Sequence, residues 1–472
     1  MKTTTWLAAL ALGSTLLSGC KDDSGLTGDD SPEPDAAPMI DAPPGGEVIE
    51  VRGDISSDTT WTSNNIYVLK EYVFVTGGTL TIQPGTTIKG DTGSALTITK
   101  DAKIRAVGTA AAPVVFTSNA AMPKSGDWGG VVLLGKGVIN VAGGTNGIEG
   151  FASNLGERIR YGGTDAAHDC GKLRYARIEY AGFELSANVE LNGLTLGGCG
   201  SAAEIDYVQS HLGLDDGIEV FGGSVNLKHI VISQPDDDGL DWDVGWTGKA
   251  QFVIVQQRDG RGDKGFESDN NPTVTAAMPR SNPELWNVTL IGGDSAIATK
   301  KQGGIHAKKG TAGKINNAVI AYFNNFPIDV DGAAVRDLVG SGAFAIQHTY
   351  FMKATAQAGL FAPNFDFTLD HDSMAGTPNL ENDCDLSGGT TSNCFDELAT
   401  FSAVTSNHMN VDAQLTDPKN LTAPSFKPAA GSPVLAGCGT PPAGFDTTAT
   451  FCGAVGATDW TAGWTAYPVN HP

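Results

Sequence analysis

Three short segments between residues 213 and 269 concentrate carboxylates at regular spacing: Asp215-Asp216-Gly217-Ile218-Glu219, Asp237-Asp238-Gly239-Leu240-Asp241 and Asp263-Lys264-Gly265-Phe266-Glu267. The shared order is acid, acid or lysine, glycine, apolar residue, acid, at offsets of 22 and 26 residues. On adjacent strands of a sheet, equivalent positions are about 4.8 Å apart. The leading and trailing acids then form two short columns flanking a buried apolar residue. Carboxylates that close raise one another's pKa or require a cation. Three chemistries suit the pattern. Asp and Gly are preferred where a chain bends, so plain turn chemistry is one. Calcium, with about six to eight oxygen ligands, is the second, and would use Asp215, Asp216, Asp237, Asp238, Asp241 and Asp263. Catalysis is the third. It would draw on Asp216, Asp238 and Asp263, with Arg258, Arg261 and Lys264 as cations for a uronic-acid substrate. Carboxylates about 5 to 9 Å apart serve glycoside hydrolysis. Trp242 and Trp246 directly follow the second motif. Indole rings beside acids give a sugar an apolar stacking face and a polar rim; the opposing reading has both rings closing hydrophobic turns.

The elements that hold such columns must be short strands. From Val48 onward the sequence consists of brief β-branched runs separated by Gly and Asp turns, with apolar–polar alternation and no long helical periodicity. Leu80-Thr81-Ile82 with Ile88 recurs sixteen residues later as Leu96-Thr97-Ile98 with Ile104. Further runs centre on Ile178, Val208, Ile230, Val253, Val288 and Val319, at intervals of 30, 22, 23, 35 and 31. A loosened period of twenty-odd residues marks a solenoid, in which each coil buries its inner face only by stacking on its neighbours. A β-sandwich also uses many short strands but predicts no internal repeat. The expected fold is therefore all-β, a right-handed parallel β-helix over 48–340. Final coils and a disulfide-stapled C-terminal cap over 341–472 would shield the open end.

Composition sets the outer limits. The chain has 472 residues, a formal net charge of −23 and only 18% charged residues, with 61 glycines. A negative field repels a polyanion, which excludes nucleic acid as a partner bound through phosphates. Few charges and abundant glycine disfavour coiled coils and helical bundles. Zinc-protease, nucleophile-elbow and phosphate-loop motifs do not occur. Arg-Gly-Asp occurs at Arg52 and at Arg261, in a sequence where Gly and Asp are common enough to produce both by chance.

Several segments resemble the coils of a broad bacterial surface β-helix family. They include Trp61-Thr62, Ile66-Tyr67-Val68-Leu69, Leu80 to Gly90, Trp128-Gly129-Gly130 and Ile148-Glu149-Gly150. Others are Leu173 to Gly182, Glu190 to Thr195, Asp215 to Gly223 and the closing Gly453 to Gly456 with Trp460 and Gly463-Trp464-Thr465. The resemblance covers most of residues 50–465 and implies the fold; such proteins are mostly uncharacterised exported or outer-membrane proteins. Polysaccharide lyases and hydrolases of this fold place carboxylates and a base on stacked coils. The Gly-His-Gly and Arg-Ile-Lys elements of the polygalacturonases are missing here.

Lys2, the apolar run Trp6 to Leu17 and Leu17-Ser18-Gly19-Cys20 have the form of a secretory signal peptide. The cleavage region resembles the lipobox of bacterial lipoproteins. That resemblance implies a signal peptide over 1–19, lipidation of Cys20 and, with Lys21 rather than Asp after it, anchoring at the outer membrane or cell surface. Residues 20–47 would form an acidic, Pro-containing tether too poor in apolar residues to fold, spanning roughly 30 Å. Six cysteines remain: Cys170, Cys199, Cys384, Cys394, Cys438 and Cys452. An even number in an exported chain reads as disulfides, and nearest-neighbour pairing is one of fifteen connectivities. The expected function is a lipid-anchored surface protein presenting a calcium-supported β-helix face to glycan or to a surface protein. The alternatives are a calcium-dependent polysaccharide lyase or glycoside hydrolase, and a structural envelope or matrix component.

Overall fold

A computed structural model describes residues 45–186, 189–296, 300–360 and 395–471. The expected signal peptide, Cys20, most of the expected tether, Cys384 and Cys394 lie outside the described residues. The fold is a parallel β-helix, as expected. Its coils share two parallel sheets, a wide one of sixteen strands and a narrow one of nine among the described residues. One coil shows the plan: Ile218–Phe221 lies in the narrow sheet, Asn226–Ser233 in the wide sheet, and Leu240–Asp243 returns to the narrow sheet one rung on. Alternate side chains point into a continuous apolar interior that runs from Trp61 to Phe401.

The wide-sheet strands bend at one residue each. Tyr175, Tyr207, His229, Phe252, Asn287 and Asn317 hold φ between 47° and 61°, a region that residues with side chains seldom occupy. Where the bend becomes a break, the earlier strands Ala102–Val107 and Val114–Ser118 pair separately with the two halves of Gly171–Glu179. Stacking offsets the strain. Tyr175 and Tyr207 lie 4.4 Å apart between ring centroids, Tyr207 and His229 4.0 Å, and His229 and Phe252 4.8 Å.

The register corrects two details of the repeat. Leu80 pairs with Ile104 in the wide sheet and Leu96 with Val73 in the narrow one, so the rung spacings there are 24 and 23 residues, not sixteen. Val208, Ile230, Val253 and Val288 do stack in one register, but their partners at the two ends are Ala176 and Ala318, not Ile178 and Val319.

Phe344–Gln347, Tyr350–Lys353 and His408–Met409 extend the wide sheet. Helices Gly332–Ser341 and Glu397–Ser402 bring Val335 and Phe401 into the last of the core. From Ala413 the chain then turns back as a strap over the outer face of the wide sheet. There Val231, Ile254, Ile291 and Val319 pack with Phe426, Val434, Val455 and Trp464. Cys438–Cys452 staples this strap, and Cys170–Cys199 joins two early coils. Both are nearest-neighbour pairs.

Candidate functional site

The three acidic motifs stack. Leu194, Ile218, Leu240, Phe266 and Ile305 stand in one register, all fully buried. The residue after each faces outward, giving the column Thr195, Glu219, Asp241, Glu267 and His306, which Asp329 extends by one rung. Two residues before the first four apolar positions stand Asn192, Asp216, Asp238 and Lys264. The glycine between is required by close stacking: a Cβ on Gly239 would come within 2.4 Å of the Gly265 carbonyl oxygen.

Part of this carboxylate array is turn chemistry. Asp216 Oδ1 accepts a hydrogen bond from the Asp238 amide at 2.9 Å, and Asp238 Oδ1 accepts one from the Lys264 amide at 2.5 Å. Each aspartate thereby ties the next coil's turn to its own. The remaining oxygens are crowded. Ligand atoms of Asp215, Asp216 and Asp237 lie within 4.8 Å of one another, as do those of Asp216, Glu219 and Asp241, and those of Asp237, Asp238 and Asp263. Burial drives Asp216, Glu219, Asp238 and Asp241 well above the usual carboxylate range, and neighbouring acids push the same way. Burial, then Asp237, pushes Asp215 up to about 8.

Cations of the chain itself serve part of this array. Lys264 Nζ sits 2.7 Å from Asp263, Lys300 3.8 Å from Asp237, and Lys308 3.0 Å from Glu267. Burial alone would raise Glu267, but His306 and Lys308 outweigh it and hold the carboxyl far below its usual range. The same contacts raise His306: burial lowers it, while Asp331 and Glu267 bring it up to about 10. On the earlier rungs, among the described residues, no Lys or Arg ion pair reaches Asp215, Asp216, Glu219 or Asp241.

A divalent cation fits that deficit. Besides the carboxylates, Asn192 is 1% exposed and donates its amide to Glu219 Oε2 at 2.5 Å, while its own Oδ1 is buried with no partner. Asp241 Oδ1 is likewise buried and unpartnered. Hard oxygen donors of this kind suit calcium, and Asp216, Glu219, Asp241 and Asn192 would hold it. The third cluster, by contrast, already contains the ammonium of Lys264.

The other sequence-predicted residues fall elsewhere. Arg258 and Arg261 both turn to Asp236, Arg258 as a close pair and Arg261 at 3.6 Å. Lys264 is buried in its ion pair, so it presents no open cation. The tryptophan shelf is corrected outright. Trp242 and Trp246 are both 0% exposed and belong to the core, where Trp242 packs on Trp246 and Phe266. Their indole N–H groups are satisfied internally, by Thr311 Oγ1 at 3.1 Å and by the Val225 carbonyl at 3.0 Å.

The sequence pattern put Glu219 and Glu267 in the trailing acid column but not in the metal or catalytic set, and it passed over Glu149, Asn192 and His306 as site residues. The strand alternation carried the signal: Gly193-Leu194-Thr195 and Gly304-Ile305-His306 repeat the glycine–apolar–polar order of the three acidic motifs.

Beside the columns lies an open cleft of about 610 Å³, with Glu149, Tyr161, Phe221, Asp243, Val274 and Met278 among its lining. A buried asparagine clasp sets its walls. Asn140 Nδ2 donates to Asn270 Oδ1 at 2.9 Å and to the Pro279 carbonyl at 3.0 Å, and Asn271 Nδ2 returns a bond to Asn140 Oδ1 at 3.0 Å. Glu149 lies near enough to Glu219 to push its carboxyl further up, so cleft and columns meet at that pair.

Neither the curated proteins nor the solved structures compared with the chain give a match. The domain family described as a pectate-lyase-like β-helix matches residues 53–465, nearly all of the stacked coils and the strap. Such a domain is compatible with a carbohydrate-binding or polysaccharide-active protein. On that match, and on the parallel coils described above, the chain belongs to the pectate-lyase-like β-helix domain family.

Proposed function

We propose that the outer face of the narrow sheet is a calcium-supported contact surface for polysaccharide, carried on an exported protein that a lipid on Cys20 anchors at the outer membrane or cell surface. One observation carries the reading. Asp216, Glu219 and Asp241 converge within 4.8 Å, no Lys or Arg pairs with them among the described residues, and the buried Oδ1 of Asn192 stands beside them without a partner. Crowded carboxylates without a counter-ion either stay protonated or take up a cation. A bound calcium would supply a positive anchor for glycan oxygens. The tether from residue 21 would hold the β-helix clear of the membrane, leaving the face open to large polymers.

Thermal unfolding of the full chain with calcium and with chelator tests this. Calcium at a hundred times its dissociation constant adds about 2.7 kcal/mol, which appears as a raised midpoint. The shift is expected to vanish in Glu219→Gln/Asp241→Asn, a pair chosen because neither side chain bonds the next coil's turn as Asp216 and Asp238 do. A calcium shift absent from the native protein, or surviving in the double variant, refutes the site.

A further inference from the structure

The cleft beside the carboxylate columns has a chemistry of its own. At about 610 Å³ it falls within the roughly 300–1,000 Å³ typical of small-ligand sites. Its walls are fixed by the buried asparagine clasp, so it needs no rearrangement to open. Apolar surface comes from Phe221 and from Val274 and Met278, which are 54% and 71% exposed on one loop. Two acidic side chains line it, Glu149 and Asp243, and the lining includes no Lys, Arg or His. Asp243 Oδ1 accepts the Val244 amide at 2.5 Å, which fixes the side chain at the cleft wall. The nearby cation Lys308 is engaged with Glu267 at 3.0 Å.

An acidic ligand meets only repulsion in such a cleft, and a purely apolar one leaves two carboxylates facing a desolvated surface. A ligand with both an ammonium and a compact carbon skeleton meets both demands. We propose that the cleft binds an amino-sugar unit bearing a free amine. The ammonium lies between Asp243 and Glu149, and the less polar ring face lies against Phe221 and Met278. A charge-assisted hydrogen bond gives the directional part of the recognition. N-acetylation removes that charge, so the cleft discriminates amine from amide. The assignment rests on the carbohydrate reading above for the sugar ring, but not on the calcium site.

Calorimetric titration of the full-length protein with a glucosamine tetrasaccharide and with its fully N-acetylated counterpart tests the proposal, in chelator so that calcium plays no part. The amine form is expected to bind about tenfold or more tightly than the acetylated one, a difference of the size one good polar contact gives. Asp243→Asn and Glu149→Gln should each remove most of that preference. Met278→Lys, at an exposed rim position that carries no buried contact, should abolish binding by placing a like charge at the mouth while leaving the unfolding midpoint in place. Equal binding of the two tetrasaccharides, or of neither, overturns the proposal. Spermidine or free lysine binding as tightly as the amino sugar overturns the sugar assignment. A calcium shift that persists alongside such a failure leaves the ladder site standing, and loss of that shift alone leaves the cleft standing.

Discussion

The two outer faces of the β-helix are built on the same stacking rule and end in opposite states. On the wide sheet several outward side chains are amides, and the strap answers them. Gln209 Nε2 donates to the Ala466 carbonyl at 2.8 Å and its Oε1 accepts the Ala466 amide at 3.0 Å. Gln251 Oε1 accepts the Asp446 amide at 2.7 Å, and Asn287 and Asn317 bond strap carbonyls. On the narrow sheet the column is ionisable, and among the described residues no strap segment bonds Glu219 or Asp241 and no Lys or Arg ion pair reaches either. Side-chain amides pair readily with a backbone, since each carries both donor and acceptor; stacked carboxylates carry only acceptors when ionised and repel one another. A column of acceptors that the chain's own donors leave incomplete is a place where something else completes the contacts. That contrast, more than any single residue, separates structural polarity from a site.

The covered face should fail first when its anchor is removed. Trp464 is 1% exposed, lies edge-on to Tyr175 and Tyr207 at 5.9 Å from each, and donates its indole N–H to the Trp460 carbonyl at 2.9 Å. Trp464→Ala is expected to cost about 3–5 kcal/mol, as large core truncations do. Protease cleavage of the strap should appear before the coils unfold. A loss under about 1 kcal/mol would mean that the strap is only lightly held and that the comparison of faces is overdrawn.

Acid probes the same face more finely. His211 bonds Ser233 Oγ through Nδ1 and the Pro468 carbonyl through Nε2, each at 2.8 Å. Burial, helped by Arg258 and Arg177, pushes its pKa down to about 4. Tyr467 faces the ring edge-on from the strap. The folded protein thus favours the neutral ring, and the unfolded chain takes up the proton first, near pH 6.5. The stability contributed is fully present above about pH 6.5 and is lost as pH falls toward 4, by up to about 3 kcal/mol. Strap protection measured by hydrogen exchange should fall over that window in the native protein and lose much of its pH dependence in His211→Gln. An unchanged window in the variant would assign the acid sensitivity elsewhere.

How much of this was open to reading follows from where alternation survives. Along Leu240-Asp241-Trp242-Asp243 the burial alternates in, out, in, out, and Leu240 lies inside. The alternation that exposes Asp241 therefore buries Trp242, and the tryptophan shelf fails by the same rule that supports the carboxylate column. The acidic motifs were legible because each keeps glycine, apolar residue and acid in fixed order. The wide-sheet register was blurred at its ends because the left-handed residues Tyr175 and Asn317 interrupt the two-residue period and shift the apparent centre of each run. The strap and the cleft were illegible for a different reason. Asn140 meets Asn270 across 130 residues and Gln209 meets Ala466 across 257, and no local pattern encodes contacts at that range.

The sharpest test of the contrast is a sign. Without metal, Asp216, Glu219, Asp238 and Asp241 hold their protons more strongly in the folded protein than in the unfolded chain, because burial and neighbouring acids raise them. Such groups contribute stability below their unfolded pKa, and that contribution is lost as pH rises toward their folded values. The narrow face is therefore weakened by base while the wide face is weakened by acid. In chelator at neutral pH, Asp241→Asn should raise stability by about 1 kcal/mol, because an amide needs neither the proton uptake nor the desolvated charge that burial imposes on the carboxyl. With calcium the same substitution should lower stability, since it removes a ligand. A column that is only turn chemistry gives no such reversal: Asp241→Asn would then act in the same direction with and without calcium, and the two faces would differ in charge but not in purpose.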